Sequence, residues 1–284
     1  MRTIKEIHNA EYSPVGDLIT YSPLPSDSLD MIDPFLLLNH HGPQTYKGNN
    51  RGMPFGPHPH RGMETVTFIL EGDILHKDSH GHESKITSGG IQWMTAGRGL
   101  IHAEVSSDEF KREGGKLEVL QLWINLPSKN KMTDPKYYGF QKDEIPSVKT
   151  DDGKVSINVI SGRWGDTIGI HKAITPISLY TIEFQAGGKL SARVPTDENI
   201  LLYIVRGALK INGQDAEEKQ LVEFNDDAEE ISMRAITASY IIFGHARPFN
   251  EPVVAHGPFV MNSMEEIRQA YDDYQAGKFG KFSQ

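Results

Sequence analysis

His58-Pro59-His60 and His102-Ala103-Glu104 each set two donor side chains two residues apart. In an extended strand that spacing turns both side chains to one face. Two such pairs converging inside a barrel offer three imidazoles and one carboxylate, a nitrogen and oxygen set suited to Fe(II), Mn, Ni, Cu or Zn. The chain has no cysteine, so thiolate nucleophiles, disulfides and sulfur-ligated zinc or iron–sulfur sites are excluded. The flanks suit strand entrances: Gly52, Gly56 and Pro57 precede His58, and Gly97-Arg98-Gly99 precedes His102. In a chain with 12 histidines, either pair alone reads equally well as a solvated strand face. Two pairs, both beside glycines and separated by several short strands, point instead to a single metal site.

Other candidates carry less. His80-Gly81-His82 has the same spacing, with His76 close by, but Asp78-Ser79-His80-Gly81 is turn chemistry and places these rings at a solvated hairpin tip. His40 and His41 are adjacent and cannot share a strand face, which suits structural polar contacts. Glu64 has the strand parity of His58 and His60 but reads as a hydrogen-bonded or rim carboxylate, outside the metal set. Trp93 and Met94 read as core, and Arg98 as a surface or carboxylate-paired arginine.

The elements that must position the donors are short strands. From Glu64 to Ile74 apolar and polar residues partly alternate, with Gly72 near the end; Ile91 to Met94 and Leu117 to Leu126 follow. Many short strands with glycine turns suggest a barrel or sandwich. The stretch from Pro127 to Asp152 is polar and turn-rich, then a second series begins: Ser178 to Phe184, Ile200 to Val205, Leu209 to Ile211, the Asn212-Gly213 turn, and Ala235 to Phe243. The expected division is a metal-binding barrel over 1–130, a connection over 131–152, and a second barrel over 153–284 that ends in a helix. The segment Asn199 to Gly207 can be laid over Glu64 to Gly72, which makes the halves degenerate repeats. In that register Arg193 and Pro195 stand where His58 and His60 stand, so the second copy has lost its histidines. The helix is signalled by Ser263-Met-Glu-Glu266, a capping box, and by Ile267, Ala270, Tyr271 and Tyr274 at helical spacing, with Gly277 as its stop.

Composition bounds the function. The 284 residues are 38% hydrophobic and 24% charged, the formal charge is -9 with both signs interspersed, and no apolar run approaches a bilayer span. A nucleic-acid groove would need clustered Lys and Arg, so direct nucleic-acid binding is not expected. No membrane association and no secretory signal are visible, which makes the cytoplasm the default location. A monomer is favoured, since two barrels can bury their inner faces against each other.

Gly52 … His58-Pro-His60-Arg-Gly-Met-Glu64 … Gly72 and Gly90 … Gly97-Arg-Gly99-Leu-Ile-His102-Ala-Glu104 resemble the two cupin motifs. The first is one residue longer than the general pattern between Glu64 and Gly72, and Gly97 stands where a proline is common. Those departures resemble the pirin family, in the segments Phe55 to Gly62 and Gln92 to Gly99. Asp33-Pro-Phe-Leu36 and Glu251 to Asn262 continue the likeness over nearly the whole chain. The resemblance implies an all-β bicupin: two cupin β-barrels face to face, a short C-terminal helix, one metal in the N-terminal barrel, and a metal-free C-terminal barrel. The implied ligands are His58, His60, His102 and Glu104. Iron, as Fe(II), is the implied metal, with Mn, Ni, Cu, Co or Zn compatible with the same donors.

The implied activity resembles quercetin 2,3-dioxygenase, in which a small aromatic, flavonol-like substrate is cleaved with O2 to carbon monoxide and a depside. Glu104 would swing from ligand to general base and accept the proton of the substrate's hydroxyl. The alternative is a metal- or redox-sensing regulator of pirin type, acting through a transcription factor or metabolic enzyme as its protein partner. Likeness of fold does not choose between them.

Overall fold

The computed structural model describes residues 1–282 and is made chiefly of short β-strands, joined by the α-helices Asp108–Glu113 and Met264–Gln275. The chain divides into two compact units. Each contains a seven-stranded and a four-stranded sheet, so the all-β, two-barrel expectation holds.

One unit comprises Tyr12–Tyr21, Leu36–Lys142 and the chain from Asn250. The centre of its large sheet is Ile91–Thr95, Met63–Glu71 and Gly115–Asn125 side by side; its small sheet runs Phe55–His60, Leu100–Val105, Asp73–Asp78, Glu83–Thr87. Alternation along the central strands sorts the side chains. Ile69, Leu117 and Val119 lie in an apolar cluster with Ile74, Ile86 and Phe110. Thr67 follows two residues from Ile69 and Gln121 two from Val119, so the same inward row turns polar as it approaches Glu104. A barrel lined this way has an apolar plug at one end and a polar floor under the histidines.

The other unit comprises Met1–Glu11, Ser22–Phe35 and Asp143–Phe249. Its large sheet is centred on Gln220–Phe224, Asn199–Arg206, Ser239–Ala246 and Ile177–Phe184, and its small sheet begins Lys189–Arg193, Glu230–Ala235, Ala208–Ile211. The repeat legible in the sequence is therefore a repeat of sheet order, with Asn199–Arg206 in the place of Met63–Glu71. Its apolar core includes Tyr180, Ile182, Leu202, Ile204, Val222 and Phe243.

These units differ from the expected contiguous division. Ile4–Asn9 pairs with Gln220–Phe224, more than two hundred residues along the chain, and so belongs with the later residues. The C-terminal helix belongs with residues 36–142, because Phe259, Met261, Ile267, Ala270 and Phe279 form a cluster there. Residues 131–152 are no bare connection: Lys136–Phe140 pairs with Ile91–Thr95, and Ser147–Thr150 with Val155–Ser161. The run expected as one strand from Ala235 to Phe243 is two, ending at Ala235 and resuming at Ser239. The turn between them is held by Thr237, whose Oγ1 accepts from the Ala208 amide at 3.0 Å, and leaves Ile236 half exposed. The helix itself is as expected, with Ser263 Oγ accepting from the Glu266 amide at 3.2 Å and the chain turning at Gly277.

Candidate metal centre

The small sheet sets the donors in rows. His102 on Leu100–Val105 lies opposite His58 on one neighbouring strand and opposite Asp78 on the other. His60 lies opposite Leu100, two residues along from His58 on the same face. One ligand atom from each of His58, His60 and His102 falls within 4.8 Å of the other two. The ring centroids are 4.4 Å apart for His58 and His102, 4.9 Å for His58 and His60, and 5.0 Å for His60 and His102. Three expected donors are thus brought together.

Backbone carbonyls set the imidazole tautomers. His58 Nδ1 donates to Gly56 O at 2.7 Å, and His60 Nδ1 to Pro258 O at 3.3 Å. A carbonyl only accepts, so each Nδ1 carries the hydrogen and each Nε2 presents a lone pair, the arrangement in which an outer-layer acceptor orients a metal-binding histidine. His60 Nε2 and both His102 nitrogens are buried without a hydrogen-bond partner. Burial, reinforced by His58, pushes His60 down to about 3, and burial followed by His60 and His58 holds His102 well below the usual imidazole range. Both rings are therefore neutral near pH 7, as ligands must be. Buried lone pairs of this kind are costly to leave unpaired. The three rings fit one divalent transition metal.

Glu104 is on the same strand, two residues from His102, but a bulge separates them on the Phe55–His60 side. Its carboxylate is taken up by other partners. Oε1 accepts from Thr67 Oγ1 at 2.9 Å and from Gln92 Nε2, and Oε2 accepts from Gln121 Nε2 at 2.6 Å. These donors hold it beside the three-histidine group without making it a member of that group.

The chain from Asn250 completes the outer layer. Arg61, next to His60, is buried; its Nε donates to Arg98 O at 2.6 Å, one of its terminal nitrogens pairs with Asp273 Oδ2 at 2.8 Å, and its guanidinium lies 4.7 Å over the Phe279 ring. Lys131 Nζ, also buried, donates to Gly62 O, Asn125 Oδ1 and Val260 O at 2.7–3.0 Å. Gly62 has φ +82°, and a Cβ there would meet Val260 O at 1.9 Å, so the motif glycine is required by both torsion and close approach. Trp123 packs edge-on to His60, centroids 5.2 Å apart.

The remaining candidates fall elsewhere. His80 is exposed at the hairpin tip, and His82 Nδ1 bonds Asp78 Oδ2 at 2.9 Å. His40 pairs with Glu118 and His41 with Thr20 Oγ1, each at 2.9 Å, as structural contacts. Arg98 is an exposed partner of Asp134. Glu64 departs from its expected parity: it accepts from Trp93 Nε1 at 3.1 Å and Thr95 Oγ1 at 2.7 Å, on the opposite side of its strand from Thr67. The break at Arg61-Gly62 resets the alternation counted from His60. Among the described residues one further trio has metal-like spacing, Glu6, His8 and Glu223. Its needs are met, since His8 bonds Ser28 and Glu223 through its two nitrogens and Glu223 pairs with Lys5 at 2.7 Å. Sequence reasoning missed Thr67, Gln92 and Gln121, and it grouped with the hairpin-tip rings a histidine that is fully buried instead, His76. The last was accessible, because Ile74, His76 and Asp78 alternate on the buried face of one short strand.

Comparison with known proteins agrees with this geometry. Residues 18–124 match the Pirin family and residues 179–280 the Pirin C-terminal cupin domain. The chain is 35% identical over 266 residues to a Pseudomonas aeruginosa protein named "Putative quercetin 2,3-dioxygenase", covering 94% of this chain and 92% of that one. It is 37% identical over 261 residues to human Pirin, covering 89% and 84%. The crystal structure of quercetin 2,3-dioxygenase from Acinetobacter baumannii superposes with a TM-score of 0.93 at 34% identity and 100% coverage of both chains. With both cupin halves matched and relatives of this identity along most of its length, the chain belongs to the pirin family.

Proposed function

We propose that the chain is a metal-dependent dioxygenase resembling quercetin 2,3-dioxygenase, acting on a flavonol-like aromatic substrate and O2, with His58, His60, His102 and Glu104 as ligands of one Fe(II). The observation that carries the reading is the convergence of three imidazoles, with unpaired buried nitrogens on His60 and His102, beside a carboxylate. The likeness to proteins named quercetin 2,3-dioxygenase supports the substrate class. A metal bound there supplies charge stabilisation for a deprotonated substrate oxygen and a route to O2. His58 and His60 are oriented by Gly56 and Pro258, so little reorganisation accompanies binding. Glu104 serves as the fourth donor and as an acceptor for the substrate's proton, turning from Gln92 and Gln121 toward the imidazoles. Those two amides are the store from which it is drawn, and they keep the carboxylate inside the barrel when it is not a ligand. Trp123, edge-on to His60, offers an aromatic wall to a planar substrate.

The test is to load chelator-treated protein anaerobically with Fe(II), Mn, Ni, Cu, Co or Zn in turn, admit quercetin and O2, and follow the flavonol absorbance. Turnover with Fe(II), lost in His58→Ala together with metal content, is the expected result. No turnover with any metal would sink the dioxygenase reading and leave the regulatory one.

A further inference from the structure

The inner rows of the second barrel turn polar at one end. Tyr180 on Ile177–Phe184, Phe243 on Ser239–Ala246, and Leu202 and Ile200 on Asn199–Arg206 lie in its apolar core, and the same rows continue to Ser178, His245 and Glu198. His245 lies opposite Ser178 on one side and Ile200 on the other. Trp123 lies opposite Thr65 in the first barrel, so in the repeat His245 stands where Trp123 stands, at the end that there carries the histidines. His245 lines a cavity of about 480 Å³, a size suited to a small molecule. Its wall combines Ile168, Ile174 and Ile177 with Lys172 and Glu198. Ile168 is 62% exposed, on a hairpin of Arg163–Trp164 and Thr167–Ile168 whose Trp164 packs edge-on to Tyr180 at 5.1 Å. The charge of Glu198 is already met: Oε2 accepts from His245 Nδ1 at 2.5 Å, and Arg247 and Arg2 add to the positive field around it. Lys172 has no carboxylate or hydrogen-bond partner among the described residues. His245 Nε2 is likewise unengaged, and it is not sealed, since the ring lines this cavity and a smaller neighbour. An unbalanced cation, an open imidazole nitrogen and exposed aliphatic surface thus share one cavity.

We infer that this cavity of the second barrel is a ligand site in its own right, for a small carboxylate with an apolar body: Lys172 and His245 hold the carboxylate, and Ile168, Ile174 and Ile177 cover the body. His245, with Nδ1 on Glu198, takes a second proton from solvent and donates through Nε2 to one oxygen of the anion. Lys172 meets the other oxygen from the rim. The metal of the first barrel plays no part in this site.

The experiment titrates the full-length chain, metal-loaded and chelator-treated, with 4-fluorobenzoate and with its uncharged methyl ester, and follows binding by fluorine NMR. Wild type is expected to bind the acid equally well with and without metal, and less tightly as salt is added. Lys172→Gln, a change at an exposed position that leaves the fold intact, should weaken the acid about fivefold and leave the ester as it was. His245→Phe should weaken the acid by about tenfold, since it removes a charge-assisted donor and leaves Glu198 facing the anion. Ile168→Ser, on the exposed hairpin, should weaken acid and ester alike by about threefold. Absence of acid binding by wild type at millimolar concentration, binding that disappears with the metal, or equal acid affinity in wild type and Lys172→Gln would each overturn the inference. Inert quercetin would sink the flavonol reading of the first barrel and leave these affinities unchanged.

Discussion

Replacing His102 with leucine should make the metal-free protein more stable while destroying its response to metal. The His102 ring is completely buried and neither nitrogen has a hydrogen-bond partner. A buried polar group left unpaired forfeits about 1–3 kcal/mol, whereas a leucine of similar size forfeits none. Imperfect fit of the new side chain returns up to about 1 kcal/mol of that, leaving a net gain of about 0–3 kcal/mol. For a unit of this size the gain corresponds to a rise in Tm of up to about 12 °C. Metal acts in the opposite sense. At a hundred times its Kd it stabilises the wild type by about 2.7 kcal/mol, and the variant, short of one imidazole, gains almost nothing. Calorimetric melting of chelator-treated and metal-loaded samples of both proteins measures all four values. An apo variant that melts below the apo wild type, or that is stabilised by metal to the same extent, would refute the view that these nitrogens are held unpaired for a metal.

Three further outcomes are expected. Asp273→Ala leaves the buried Arg61 guanidinium without its 2.8 Å partner and should cost about 2–3 kcal/mol, with faster hydrogen exchange in the helix Met264–Gln275; unchanged exchange there would contradict it. His80→Ala removes an exposed ring at the hairpin tip and should leave metal stoichiometry within error of wild type, as read by elemental analysis. Acid should destabilise the fold through His41, which burial and then His40 lower to about 4, and through His171, which burial lowers to about 4. Both are neutral in the native state, and their unfolded forms take up protons first, at about pH 6.5. Stability therefore falls as pH drops from about 6.5 to about 4 and levels off below, by up to about 1.4 kcal/mol per pH unit for each ring. Urea midpoints that stay flat or rise between pH 7 and pH 5 would contradict the sign.

The histidines were legible because their information is local. A spacing of two is a statement about one strand, and His58, His60 and His102 need only their own strands to share a face. Glu64 shows the limit of the same rule, since counting parity through Arg61-Gly62 carries it across a break where Gly62 takes a positive φ. What holds the site in place was beyond local reading. Pro258 reaches His60 and Asp273 reaches Arg61 across some two hundred residues, and no periodicity marks a carbonyl or a carboxylate for such a partner. Gln92 and Gln121 look like ordinary strand residues until the sheet brings them to Glu104. The two barrels were visible as repeated strand patterns, but the membership of Ile4–Asn9 and of the C-terminal helix was not, because it is decided by pairings with the far end of the chain.

Anomalous diffraction from crystals of the chain soaked with a single divalent transition metal tests the central claim most directly. One peak is expected, about 2.0–2.1 Å from Nε2 of His58, His60 and His102, with a Glu104 oxygen turned from Gln92 or Gln121 to complete the set. A sole peak at Glu6, His8 and Glu223 or at the His80 and His82 hairpin, with no density between the three imidazoles, would contradict it.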